Sequence, residues 1–324
     1  MNTRVATAMR AAVLTGPGCM EIRRLELPRP AVGQVRVRLE GCGICGSNLP
    51  VWEGRPWVQY PLAAGAPGHE GWGVVDQLGS DVDDRWLGAR VAVLSYQAYA
   101  EYDVADAEHL VRLPRALADT AFPGEALGCV MNIWKRCDIV AGQCVAVVGA
   151  GFLGVLLTQL AAAAGARVIA ISRRQFALDR AADAGAWKCI AMDDHDAVVR
   201  EVMEATAGRG CERVLEVTGE QWPLDLASEL TAERARLIIA GYHQDPRRVN
   251  MQLWNWRGLD VINAHERAAS VYVQGIRDAV QAIEDGRLDP VPLYTHAFAL
   301  HELGAGLSAL RTRPEGLLKG WVTL

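Results

Sequence analysis

The sequence predicts an α/β protein in two parts, a mostly antiparallel β region followed by a doubly wound sheet of six parallel strands. Three observations carry this. The first third consists of short alternating or β-branched runs bounded by Gly and Pro; from Cys144 onward, strand-like and helix-like stretches alternate; and a G-x-G-x-x-G string stands just inside the second pattern. With 324 residues, 51% of them hydrophobic and 22% charged, the chain has the composition of about two globular domains. Lys and Arg number 33 against 38 Asp and Glu, a formal charge of -5, so no basic excess draws in a phosphate backbone and nucleic acid is not an expected partner. Eight cysteines are too few for a disulfide scaffold, and "MNTRVATAMR" lacks the apolar core of a signal peptide, so a reducing, cytoplasmic setting is expected.

The eight residues before Met9 join no pattern. After them "RAAVLT", "GQVRVRLEGCGI" from Gly33, "GWGVVDQLG" from Gly71 and "GARVAVLS" from Gly88 read as strands. In the second part strands are expected over 144–148, 167–171, 188–192, 213–217, 236–240 and 260–264, with helices such as "RRQFALDRAADAG" and "DAVVREVMEATAG" between most of them. A helical stretch "VYVQGIRDAVQAIEDG", the Pro-rich "LDPVPLYTHAF", a last helix and a terminal strand form a tail short enough to fold back on the first part. The expected division is therefore 1–127 with 265–324 against 128–264. The uncharged run over 139–166 is long enough to cross a bilayer, yet Gly149, Gly151, Gly154 and Gly165 break it into a strand, a turn and a helix. It reads as buried core, and no membrane partner is expected.

Gly149, Gly151 and Gly154 follow an apolar strand and open a helix, with Phe152 and Leu153 in the two places before the last glycine. The first two glycines allow a tight turn and close backbone approach, the third lets helix pack on strand, and the helix N-terminus faces a pyrophosphate. Where such a fingerprint usually carries Asp or Glu for the ribose 2′-hydroxyl, Ser172 stands, followed by Arg173 and Arg174. A 2′-phosphate would meet a hydroxyl and two guanidinium groups, so NADP(H) is expected over NAD(H).

Three strings in the first part, "GCGICGSNLPVWEG", "GAPGHEGWGVV" and "FPGEALGCVMN", supply sulfur, nitrogen and oxygen donors. Cys42 and Cys45 form a single C-x-x-C, which without a second pair does not close a structural zinc site. These strings resemble the medium-chain dehydrogenase/reductase family, the zinc-dependent alcohol and polyol dehydrogenases, in which C-G-I-C-G-[ST]-D, G-H-E and E-P-L precede a Rossmann domain. The likeness runs from Met9 over nearly the whole chain, in the same order. It implies a GroES-like catalytic domain, one catalytic zinc held by Cys45, His69, Glu70 and Glu125, and a proton moved by Ser47. Cys129, four residues beyond Glu125, is read as a buried thiol. Three departures stand out: Asn48 replaces an Asp, Pro50 occupies a place where a His often relays protons, and no four-cysteine lobe interrupts "RVAVLS" and "YAEYDV".

The resemblance implies hydride transfer between a secondary alcohol and its ketone, with an alcohol or ketone as the small-molecule partner. Trp52, Trp57 and Tyr60, with Trp254, Trp256 and His265, are candidates for aromatic walls around a substrate. A sugar or cyclitol ring would suit such faces together with Glu53 and Arg55. The resemblance also implies a homodimer through the last sheet strand, over 259–264. Two other readings stay open: a zinc-free enoyl or quinone reductase of the same family, opposed by the four donor residues, and a catalytically silent, redox-sensing cofactor-binding protein, which Asn48 and Pro50 would suit.

Overall fold

The computed structural model describes residues 7–324, in two compact units. The first unit takes the described residues up to Gly128 with Ala268–Val280 and Tyr294–Leu324; the second takes Cys129–Arg267 and Gln281–Leu293. In chain order the first unit supplies β1 (Ala8–Gly16), β2 (Cys19–Glu26), β3 (Gln34–Ile44), α1 (Leu49–Glu53), β4 (Gly71–Leu78), β5 (Arg90–Val93), β6 (Tyr102–Asp106) and β7 (Leu110–Arg112). Of the eight leading residues expected to join no pattern, 1–6 lie outside the described residues, whereas Ala8 pairs with Glu26 in the β1–β2 ribbon. That ribbon was not anticipated, because β2 carries Glu21, Arg23 and Arg24 and buries no residue fully, so it shows no apolar alternation. β6 and β7 also escape notice, being only five and three residues long.

Helix α2 (Gly124–Cys137) is followed by β8 (Cys144–Val148), α3 (Phe152–Ala163), β9 (Arg167–Ser172), α4 (Gln175–Asp183), β10 (Lys188–Ala191), α5 (His195–Ala205), β11 (Cys211–Glu216), α6 (Gln221–Leu230), β12 (Thr231–Ile239), α7 (Met251–Arg257) and β13 (Asp260–Asn263). The six strands are parallel in the order β10-β9-β8-β11-β12-β13. All six expected strands are present. β12 begins five residues before its expected start, because α6 runs directly into it at Thr231. Strand order reverses at β8, which places the carboxyl ends of β8 and β11 at the crevice where doubly wound sheets bind ligands. β8 is buried along its whole length, and it joins β9, β11 and the inner faces of α5 and α6 in one apolar cluster. Among the described residues no helix is long and apolar enough to cross a membrane.

The tail comprises α8 (Ala269–Glu284), β14 (Tyr294–Ala299), α9 (Leu303–Thr312) and β15 (Lys319–Thr323). β15 pairs antiparallel with β3, Val322 opposite Cys42, and parallel with β14, so it completes a seven-stranded sheet in the first unit. Leu303 and Leu307 of α9 and Val322 of β15 share a buried cluster with Leu39 and Ile44 of β3. This return carries a charge into the interior. The Lys319 side chain is 5% exposed, and its ammonium lies 2.7 Å from Glu70 Oε1 and 2.5 Å from Oε2 while donating to the Ile44 carbonyl at 3.2 Å. Burial opposes that charge, but Glu70 foremost, with Cys45 and Glu125, raises the Lys319 pKa above its ordinary value, so the ammonium persists. Removing one partner of a buried pair strands the other in an apolar setting. Lys319→Met is expected to cost about 3–5 kcal/mol of stability at neutral pH, and Lys319→Met with Glu70→Gln to cost clearly less. Urea denaturation of both variants measures this, and equal losses would show that the ion pair is not what holds the two side chains together.

Candidate active site

β3 ends at Ile44, and Cys45 caps a short 3-10 turn over Gly46–Asn48 that leads into α1, where Pro50 suits the first turn because no helical partner waits for its missing N–H. The two cysteines of the C-x-x-C part company here. Cys42 is fully buried, its thiol directed at the Gly43 carbonyl and its pKa pushed up by burial. Cys45 stays at the surface of the turn, where its sulfur, a His69 ring nitrogen and a Glu70 oxygen all lie within 4.8 Å of one another. Donors around one zinc, with bonds of about 2.0–2.3 Å, stand within about 4.5 Å, so small side-chain rotations suffice. Glu125, in the first turn of α2, brings Oε2 to 3.9 Å from His69 Nε2. Ser47 Oγ lies 3.2 Å from the Cys45 sulfur and 3.3 Å from His69 Nε2. The structure thus gathers Cys45, Ser47, His69, Glu70 and Glu125 in one place.

The orientation of His69 is fixed from behind. Its Nδ1 donates to the Pro67 carbonyl at 2.9 Å, leaving Nε2 turned toward Glu125 and Ser47. Asn48, 1% exposed, donates to the same carbonyl at 3.1 Å and accepts from the Tyr99 hydroxyl at 2.7 Å and from the Cys45 N–H at 3.2 Å. The neutral amide standing where an Asp is usual thus both donates and accepts, and it ties the Cys45 turn to the His69 segment. Glu70 is held by Lys319 from below, and Gly43 makes room for it, since a Cβ there would sit 1.7 Å from Glu70 Oε2.

The charges of the cluster test whether a metal fits. With Cys45 as a thiolate, three anionic groups face one buried ammonium, which leaves two negative charges, the charge of one divalent ion. In the bare protein a proton partly takes that place. Burial disfavours the charged imidazole, but the hydrogen bond and charge of Cys45, then Glu125 and Glu70, outweigh it and raise the His69 pKa to about 10. A soft thiolate beside imidazole and carboxylate is a zinc-type donor set. A second grouping, Asp106, Glu108 and His109, has similar spacing but no thiolate, and Glu108 is 82% exposed.

In the second unit, β8 delivers its carboxyl end to the turn over 149–151, and Gly149 N donates to the Ile171 carbonyl, tying the turn to β9. Gly149 has φ +109°, and a Cβ there would press on Thr218 Cγ2 at 2.6 Å; a Cβ on Gly154 would lie 2.0 Å from the Gly149 carbonyl oxygen. α3 begins at Phe152 from Gly151, which offers no side chain to cap it, and its N-terminus carries the positive end of the helix dipole. Phe152 is buried and Leu153 half-buried. Ser172 ends β9 at 8% exposure, Arg173 is exposed, and Arg174 caps α4.

Of the aromatic residues expected as walls, Trp52 and Trp254 are taken up by the two cores. Trp52 is buried in the first core with Tyr60 packed against it, Trp57 is 66% exposed, and Glu53 faces Arg311 at 3.6 Å. Trp254 packs on the second core with Nε1 bonded to Ser228 Oγ, Trp256 is 87% exposed, and His265 lies beside Tyr242. An apolar residue near a motif has more to gain from the nearest core than from lining a polar cluster. The aromatic ring actually beside the donors is Tyr96, 6.2 Å from the His69 ring. Cys129 is half-buried rather than buried. Sequence reasoning also missed Lys319, although a lone Lys in the apolar terminal strand "LLKGWVTL" was a readable sign of a buried partner.

Residues 31–129 match the alcohol dehydrogenase GroES-like domain, and residues 153–281 match the zinc-binding dehydrogenase domain. The (R,R)-butanediol dehydrogenase of Neisseria gonorrhoeae is 27% identical, covering 91% of this chain and 93% of its own. The crystal structure of an alcohol dehydrogenase (rspB) of Escherichia coli complexed with NADH superposes with a TM-score of 0.86 at 23% identity, over 98% of this chain and 100% of that one. A putative zinc-binding dehydrogenase of Sinorhizobium meliloti, solved bound to NADP, superposes at 0.82 with 24% identity, over 98% and 100%. With its GroES-like domain, its six-stranded Rossmann sheet and these relatives, the chain belongs to the medium-chain, zinc-type alcohol and polyol dehydrogenase family.

Proposed function

We propose that this chain is a zinc-dependent, NADP(H)-using oxidoreductase that interconverts a secondary alcohol, of the sugar, polyol or cyclitol kind, and its ketone. The observation that carries the reading is the convergence of Cys45, His69, Glu70 and Glu125 on a pocket two charges short of neutral. Cys45, His69 and a carboxylate from Glu70 or Glu125 would hold the ion. The chemistry supplied there is Lewis-acid polarisation of the alcohol or ketone oxygen, and a bound nicotinamide supplies hydride exchange at the carbinol carbon.

The chain's own residues do the rest. Ser47, with its hydroxyl between the Cys45 sulfur and His69 Nε2, is placed to pass a proton to or from the substrate oxygen. The Pro67 carbonyl and Asn48 hold His69 and the Cys45 turn in register, and Lys319 holds the Glu70 carboxylate in place. Gly149, Gly151 and Gly154, with Phe152 and Leu153 opening α3, would cradle the pyrophosphate, and Ser172, Arg173 and Arg174 would meet the adenosine ribose. We further propose a cytoplasmic homodimer paired through β13, the edge strand of its sheet, since an open edge otherwise invites uncontrolled pairing.

Zinc content tests the reading. Protein purified without chelator is expected to carry about one zinc per chain, lost in Cys45→Ala or His69→Ala, and elemental analysis finding none would sink it. The raised His69 pKa adds a signed expectation. Its proton stabilises the metal-stripped fold fully below the ordinary imidazole value of 6.5, and that stability is lost as pH rises toward about 10. Zinc uptake by stripped protein at pH 8 should accordingly release about one proton per site, readable with a pH indicator in weak buffer.

Cofactor choice is tested separately. If Arg173 and Arg174 bind a 2′-phosphate, NADPH should bind at least about tenfold more tightly than NADH, a difference of about 1.4 kcal/mol. Replacing both arginines by Ala should weaken NADPH and spare NADH. Cofactor-fluorescence titration giving equal affinities in the wild type would show that the arginines are merely solvated.

A further inference from the structure

Cys144 opens β8 and Cys211 opens β11, neighbouring parallel strands at the middle of the second unit's sheet. β11 pairs with β8 from Arg213 opposite Val145, so the two cysteines stand side by side at the start of these strands, and their sulfurs lie 3.7 Å apart. Both thiols are free and buried, at 2% and 0% exposure. We propose that Cys144 and Cys211 form a reversible dithiol/disulfide site, oxidised by hydroperoxides.

The pair is chemically asymmetric. The hydrogen bond with Cys211 lowers the Cys144 pKa below the usual thiol value, against burial and with help from Arg167 and Arg209. The same bond, together with burial, raises that of Cys211. Cys144, the less deeply buried of the two at 2% exposure against 0%, acts as the nucleophile and Cys211 as the resolving thiol. The Cys144 thiolate attacks one peroxide oxygen, the O–O bond breaks, and the departing oxygen takes a proton to leave as water or an alcohol. The Cys211 sulfur then attacks the resulting sulfenic sulfur, forming the S–S bond, breaking S–O and releasing water that carries the Cys211 proton. Two thiols lose two electrons and one peroxide gains them. Contraction from 3.7 Å to a bond of about 2.05 Å needs side-chain rotation and only slight strand movement. Cys137 is the internal contrast, being equally buried but with its pKa pushed up to about 12 by burial.

Zinc-loaded protein is treated with hydrogen peroxide, unfolded under acid, and its thiols are counted and mapped by mass spectrometry. The expected result is a loss of two thiols from eight, a mass decrease of about two hydrogens, a cross-link between the peptides carrying Cys144 and Cys211, and full reversal by dithiothreitol. Because Cys137 and Cys144 share a tryptic peptide, Cys137→Ser should retain the cross-link and Cys144→Ser should lose it. Cys211→Ser should leave Cys144 as a sulfenic acid trapped by dimedone. Eight thiols surviving in the wild type, or a disulfide joining other cysteines, would overturn the proposal without reference to any variant's folding.

Discussion

The buried pair between Glu70 and Lys319 is the constraint on which the first unit's architecture turns. A carboxylate with no exposure and an ammonium with almost none are tolerable only together. One comes from the segment before β4 and the other from the first residue of the last strand, so the sheet is complete only when the tail has returned to β3. Gly43 opposite Glu70 is a condition of the same packing, since any side chain there would occupy the carboxylate's place. Stability and site geometry are therefore one problem: the residue that closes the sheet also fixes a metal-type donor.

Around that pair the cluster is organised by neutral groups as much as by charged ones. Asn48 links Tyr99, the Cys45 N–H and the Pro67 carbonyl, and His69 shares the last of these. A carboxylate in the Asn48 position would have added a third carboxylate to a pocket that already holds an excess of negative charge, and it could not have donated to Pro67. The departure from the family pattern is thus consistent with a working arrangement, in which Pro67 rather than an acid accepts the Nδ1 proton. In the second unit the local constraint is steric instead, since a Cβ on Gly149 or Gly154 would collide with Thr218 or with the Gly149 carbonyl at the start of α3.

Much of this was legible in the sequence because the relevant physics is local. β8 is an unbroken apolar run and β9 nearly so, and both the turn after β8 and the helix that follows it are encoded within a few residues of the glycines. The donor types at Cys45, His69, Glu70 and Glu125 could be read from short motifs. Strands lacking an apolar signature, β2 above all, could not, because a half-exposed ribbon leaves no alternation to detect. Trp52 and Trp254 were misread for the opposite reason: their burial depends on which core lies nearest in space, and sequence proximity to a motif says nothing about that.

The sequence by itself determined the order of the two parts, the parallel sheet, the glycine turn and the identities of the donors, since each rests on spacing within a segment. Tertiary structure alone decided that Lys319 is the partner that neutralises Glu70 from 249 residues away, and that Cys144 meets Cys211. These outcomes follow from strand register and from the electrostatic cost of burial, which act between segments distant in the chain, so local sequence can signal a buried charge but cannot name its partner.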